Sequence, residues 1–167
     1  VMFLTVLLIT SLTIGIASYK IASKGMTQSV FSHIDAISTD VVNQIADINK
    51  KHLQTLHVIA ELDTIKDENA SLSEKQKEIL RVVPAIGDNC IDMAFYDAKG
   101  NALIADGRMI NFADRPYFQE AFAGKDFISD PKFSTVTNSI LQHLSVPVYN
   151  DSGKAIGVVV MVIEGNI

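Results

Sequence analysis

The sequence predicts an α+β fold: an N-terminal transmembrane helix, a long amphipathic helix, and then a module built on a five-stranded antiparallel sheet. Three observations predict it. Residues 1–19 carry no charge. Residues 27–62 place apolar side chains at steps of mostly three or four, which is the helical period. From residue 90 onward the pattern turns extended, with apolar runs separated by turn-forming clusters. Hydrophobic residues make up 48% of the 167, enough for a real core and too many for a disordered chain.

Residues 1–19 are dominated by Val, Leu, Ile and Phe until Lys20. About 19 residues at 1.5 Å each nearly cross a hydrocarbon core of about 30 Å. The first residue is Val1, so the positive charges that would set orientation are expected upstream of it. A cleaved signal peptide is the competing reading, because Gly15-Ile16-Ala17 has the small-x-small pattern of a cleavage site. The length of the apolar run, and the helical pattern that continues out of it, favour an anchor.

Residues 20–89 form the second segment. Val30, Ile34, Ile37, Val41, Ile45, Ile48, Leu53, Leu56, Ile59 and Leu62 lie on one helical stripe. From residue 27 to 62 such a helix runs on the order of 54 Å and needs support along its flank. A folded module or a second copy of the helix would supply it. A plain coiled coil fits less well, because the steps hold no strict heptad and Lys50-Lys51 interrupts them. Residues 63–72 are polar and read as a loop. Ser73-Glu74-Lys75-Gln76 fits a capping box that opens a short helix ending before Pro84. Asn69-Ala70-Ser71 matches a glycosylation acceptor, a short pattern that recurs by chance.

Residues 90–167 form the third segment. Residues 91–96 and 102–105 pair around the turn Asp97-Ala98-Lys99-Gly100-Asn101. Asp106-Gly107 marks a further turn. Asp114 as N-cap, Pro116 in the first turn and Gly124 as a stop define a helix over residues 115–123. Residues 127–133 read as one strand broken by Asp130-Pro131. Residues 140–149 and 155–163 make a second hairpin around Asn150-Asp151-Ser152-Gly153. Residues 158–163 lack polar alternation, so that strand is expected to be covered on both faces.

Composition excludes several functions. The net charge is −5 without basic clusters, which argues against a nucleic-acid partner. Cys90 is the single cysteine, so neither an intrachain disulfide nor a thiolate metal site is expected; beside Ile91 and Met93 it reads as a small core residue. His33, His52, His57 and His143 are scattered, and the five-residue step from His52 to His57 misses the spacing that puts two ligands on one helix face. No phosphate-cradling loop or nucleophile elbow appears. Ser134, Thr135, Thr137 and Ser139 read as turn and strand formers. No catalytic residue, metal or cofactor is therefore expected.

Ligand binding is the better reading. Arg115 opens a helix, where a cation is disfavoured, and shares a face with Phe118 and Phe122 at positions three and four apart. A charge on an inward aromatic face needs an anion: Asp130, Asp106 or a ligand. Arg115 offers a planar fork suited to a carboxylate. Tyr117 can stack or donate a hydrogen bond, and Phe118 and Phe133 can form walls or simply belong to the core.

The ordered set Asp-Arg-Pro-Tyr-Phe-Gln-Glu-Ala (114–121), Gly124, Ile128-Ser129-Asp130-Pro131, Ser134 to Thr137, Val146-Pro147-Val148, Asp151 to Gly153, and Gly157-Val158-Val159-Val160 running on to Glu164-Gly165-Asn166 resembles the membrane-distal module of double Cache sensor domains. These are the PAS-like extracytoplasmic regions of bacterial methyl-accepting chemotaxis proteins and related receptors. The resemblance covers residues 20–167. It implies a long helix that rises from the membrane and commonly pairs with a second copy, a small-molecule ligand, and an extracytoplasmic location. In members that bind amino acids, an arginine followed two positions later by an aromatic holds the ligand carboxylate, and a later aspartate holds the amino group. Arg115 and Tyr117 match the first part. Phe118 and Phe133 stand where tyrosines are usual, and the late aspartate is replaced by Val162 or Glu164. The departure turns the expectation from an α-amino acid toward another small carboxylate.

The chain is thus expected to be the sensing part of a chemoreceptor, with a second module, a second span and a signalling domain following it. A histidine kinase or diguanylate cyclase output is the enzyme-class alternative. A soluble module released after Ala17 is the binding-protein alternative.

Overall fold

The computed structural model describes residues 2–87, 90–103, 107–135 and 137–165. They fall into two compact units, Val1–Asp47 and Ile48–Ile167. Helix α1 spans Met2–Ala60. In the first unit Val30, Ile34, Ile37 and Val41 are all exposed. No helix among the described residues is long and apolar enough to cross a membrane. The span expected over residues 1–19 rests largely on side chains of residues 1–10, which lie outside the description.

The second unit is a sheet with helices on both faces. After α1 come α2 (Asp63–Lys66), α3 (Leu72–Val82) and a 3-10 turn at Val83–Ala85 that contains Pro84. Residues 63–66 are helical rather than loop, because Ile65 is drawn to zero exposure while its N–H and that of Lys66 donate to the Leu62 carbonyl. The capping box of α3 is Ser71 with Glu74, two residues ahead of the expected Ser73 with Gln76. Ser71 Oγ accepts from the Glu74 N–H, and Glu74 Oε2 accepts from the Ser71 N–H at 2.8 Å and from its hydroxyl. Both frames carry the pattern, and the ionised carboxylate accepts more strongly than an amide.

The sheet has seven described strands, not five: β1 (Cys90–Asp97), β2 (Asn101–Leu103), β3 (Met109–Asn111), β4 (Phe127–Ile128), β5 (Lys132–Ser134), β6 (Ser139–Tyr149) and β7 (Ala155–Glu164). Two local causes account for the difference. Asp130-Pro131 splits the expected strand 127–133 into β4 and β5, since proline cannot donate to the ladder. The three-residue β3 is too short to show alternation and is held by pairing with β2. The order is β3-β2-β1-β7-β6-β4, all antiparallel, with β5 also on β6.

Alternation along the central strands sorts the core into two. Met93, Phe95, Val159, Met161 and Ile163, with Leu144, Val146 and Val148, pack against Leu56, Ile59, Ile65 and Ile79 of α1 to α3. Ala94, Tyr96, Val158 and Val160 pack against Phe118 and Ala121 of helix α4 (Pro116–Phe122). Strand β7 is accordingly buried on both faces, as its unbroken apolar run predicts. Hairpin turns close on side chains: Asp97 Oδ1 accepts from the Lys99 and Asn101 N–H groups, and Asn150 Oδ1 from those of Ser152 and Lys154.

Helix α4 begins one residue later than expected, and its N-cap is Arg115 rather than Asp114. The reason is Pro116. A residue before proline is pushed out of the helical region, and Arg115 is extended at φ −85°, ψ 135°. Gly124 ends the helix at φ +92°, a left-handed conformation that suits glycine.

Candidate binding cavity

The α4 face of the sheet carries a cavity of about 450 Å³. Its wall comes from three places: Arg115 and Tyr117 at the start of α4, the segment Phe127 to Ser134, and Leu141 and His143 on β6. Ser145, fully buried on β6, anchors one side by donating its hydroxyl to the Tyr117 carbonyl at 2.7 Å. Ser129 anchors another: its N–H donates to the His143 carbonyl at 2.8 Å, its Oγ accepts the His143 N–H at 2.9 Å, and its carbonyl accepts from Gln142 Nε2.

Neighbouring residues of a helix diverge by about 100°, and this separates Tyr117 from Phe118. Phe118 turns into the core, with its ring centroid 5.5 Å from that of Phe122 and 6.4 Å from that of Tyr96. Tyr117 turns over the sheet, where its ring lies parallel to the His143 imidazole at 4.7 Å and edge-on to Tyr96. Burial pushes the Tyr117 hydroxyl above its usual range, an effect that a hydrogen bond from Tyr96 and the Arg115 charge oppose. Tyr96 is pushed further up, again first by burial. His143 is held below its ordinary value by burial and then by the positive charges of Arg115 and Lys132. Both causes favour the neutral ring in a site whose cations face it.

Of the residues singled out from sequence, Arg115, Tyr117, Asp130 and Phe133 come together around this cavity, while Phe118 and Glu164 do not line it. Glu164 is exposed at the end of β7, opposite Leu141. Arg115 does not sit on the aromatic face of α4, as the spacing 115, 118, 122 predicts. As an extended N-cap it lies outside the helical spiral, with a side chain 56% exposed and Nε 3.6 Å from Asp114 Oδ1. Among the described residues it forms no ion pair with Asp130; Asp106, the other expected partner, lies outside the described residues.

Among the lining residues not singled out from sequence are Phe127, Ser129, Lys132 and His143. A signal for His143 existed. With Leu144, Val146 and Val148 assigned to one core, period-two alternation sends residues 141, 143 and 145 to the other face. A larger cavity of about 590 Å³ lies by α2 and α3, but it has no aromatic wall, and three of its carboxylates already serve neighbours: Glu74 holds Ser71, Glu78 holds Arg81 and Asp67 holds Asn69.

No curated protein sequence is similar enough to match the chain. Among solved structures, the ligand-binding domain of the Campylobacter jejuni chemoreceptor Tlp3, in complex with 4-methylisoleucine, aligns at TM-score 0.58 and 18% identity over 72% of this chain and 52% of that one. The ligand-binding domain of the Pseudomonas aeruginosa PAO1 amino acid chemoreceptor PctC, in complex with GABA, aligns at TM-score 0.65 and 14% identity over 80% and 60%. The extracellular domain of rpHK1S-Z16, described as a histidine kinase, aligns at TM-score 0.54 and 22% identity over 71% and 52%. These likenesses establish the fold, and the chain spans between half and three fifths of each of those domains. A family model described as Cache domain matches residues 19–167, most of the sequence and all of the second unit; the chain belongs to the Cache domain family.

Proposed function

We propose that this chain is the extracytoplasmic ligand-sensing region of a membrane chemoreceptor and that its cavity binds a small carboxylate. One observation carries the reading. Arg115 stands half-exposed at the cavity with only a long contact to the exposed Asp114, and Lys132 adds a second cation beside the aromatic walls of Tyr117, Phe127 and Phe133. A fork of donors, a supporting charge and apolar walls suit a small organic anion. Asp130 faces the same space and would steer a ligand's positive or hydroxyl end. Glu164, at the rim of the sheet, and Phe118, behind Tyr117, take supporting places in this reading. The uncharged run of residues 1–19 supplies the anchor, and α1 pairs two copies.

Membership of the Cache family and the fold shared with two chemoreceptor sensor domains support the sensing role. The likeness to a kinase's extracellular domain favours one second reading, the same sensor on a histidine kinase. A heptad-rich cytoplasmic helix encoded with the chain would decide for the chemoreceptor, and a phosphoacceptor domain for the kinase.

Calorimetry of the full chain in detergent micelles tests the ligand step against acetate, lactate, succinate, GABA and isoleucine. At least one should bind, and Arg115→Ala should weaken it by about tenfold or more, equal to about 1.4 kcal/mol. Undiminished affinity in the variant would remove Arg115 from the site.

A further inference from the structure

The cavity holds a group that the carboxylate reading does not use. His143 presents its imidazole to the same space as Arg115 and Lys132, flat against Tyr117 at 4.7 Å. Among the described residues neither ring nitrogen has a hydrogen-bond partner; the backbone of His143 is tied to Ser129, but the ring is not. The charged and titratable groups on its face of the sheet are Arg115 and Tyr117 from α4, Asp130 and Lys132 from the β4–β5 segment, and Asp92 and Tyr96 from β1, with Asp92 in register with Val162 and so one strand further away. From β7 the residue opposite is the uncharged Val162. The ring is therefore a donor or acceptor in waiting, and the charges that act on it are those of Arg115 and Lys132.

We propose that His143 takes up a proton from solvent as an organic anion enters the cavity, so that the site binds its ligand together with H⁺. The inference rests on the carboxylate reading and adds a titrating donor to it. In the empty site burial, and after it two cations, disfavour imidazolium. An anion held by Arg115 and Lys132 cancels their field and offers an acceptor to the new N–H, so it favours the charged ring. No ligand bond is made or broken; a ring nitrogen gains one proton and the bound pair is closer to neutral. Affinity should rise as pH falls through the bound-state titration and level off below that of the empty site. The receptor would report an anion more sensitively in acid surroundings.

The test follows the His143 ring by NMR in the full chain in detergent micelles, with acetate, lactate and succinate each as probe. For any probe that binds, the titration midpoint should rise by about one pH unit, and affinity should grow several-fold between about pH 7.5 and 5.5. His143→Asn keeps a hydrogen-bonding side chain and should bind with little pH dependence over that range. Binding with an unmoved His143 midpoint would overturn the inference while leaving the carboxylate reading in place. Failure of all three probes, and of the wider panel, would overturn both.

Discussion

Lys75 carries an ammonium where the fold has little room for charge. The residue is 3% exposed, its Nζ donates to the Ile65 carbonyl at 2.6 Å, and it lies 4.2 Å from the centroid of the Phe95 ring. Burial pulls the amine below its ordinary value, and Asp67 and Glu68 restore only part of that. The sign follows directly. The unfolded chain holds its proton up to the ordinary value near 10.5, so between the lowered value and that one folding releases protons and stability rises with pH. The long side chain also fills space, which separates packing from charge. Lys75→Met keeps the volume and removes the charge, and should change stability by less than about 1 kcal/mol, since hydrophobic replacement of a buried charge is often neutral. Lys75→Ala should cost roughly 2 kcal/mol or more through the cavity it leaves. Thermal melts compare the two; equal losses would show that the bond to Ile65 matters more than the filling. The alkaline rise should vanish in both.

At the scale of elements, α3 shows how a short helix is fixed in place. Its eleven residues bury only Lys75, Gln76 and Ile79, so its start depends on the cap. Ser71→Ala should lower stability by about 1 kcal/mol, the usual worth of an N-cap. The Glu74 carboxyl is held below its ordinary value, first by the Ser71 backbone N–H and then by its hydroxyl. Its contribution is therefore complete above the unfolded value near 4.5 and is lost as pH falls through the folded one. In Ser71→Ala the acid limb of a pH–stability profile should shrink, because the hydroxyl bond is gone. An unchanged acid limb would assign the cap to the backbone alone. The same elements show what sequence carries. Long runs such as α1, β6 and β7 were legible because apolar residues recur along them. The three-residue β3 was not, since its pairing with β2 comes from a neighbour rather than from its own pattern. Arg115 was readable as a site residue by chemistry, but its position was misread, because Pro116 removes it from the helical spiral that the spacing assumes. His143 is the opposite case: its register was readable from β6, yet its value lies in contacts with Tyr117, 26 positions earlier, and with cations from two other segments.

For the whole molecule, the stripe that runs along α1 changes character. In the second unit Leu56 and Ile59 are at 0% and 1% exposure under the sheet. In the first unit, residues of the same stripe stay open: Val30 at 51%, Ile34 at 52%, Ile37 at 64% and Val41 at 42%. Steps of four, three and four keep these side chains on one side of the helix. Four large apolar groups in a row on a single helix expose far more surface than scattered surface residues do, and covering them gains roughly 25 cal/mol per Å². A second copy of the chain would offer the identical stripe and could close it by two-fold symmetry, the pairing proposed above for α1. Ile37→Cys and Val41→Cys, each in a Cys90→Ala background, should therefore give disulfide-linked dimers in membranes under mild oxidation. Thr39→Cys, on the opposite side of the helix, should stay monomeric under the same treatment. Cys90 itself has a thiol pushed up to about 11 by burial, so it is a poor nucleophile and its removal should not alter the pattern. Equal crosslinking at positions 37, 39 and 41 would mean random collision, and none at all would leave the stripe to a different partner; either result would end the two-copy arrangement of α1.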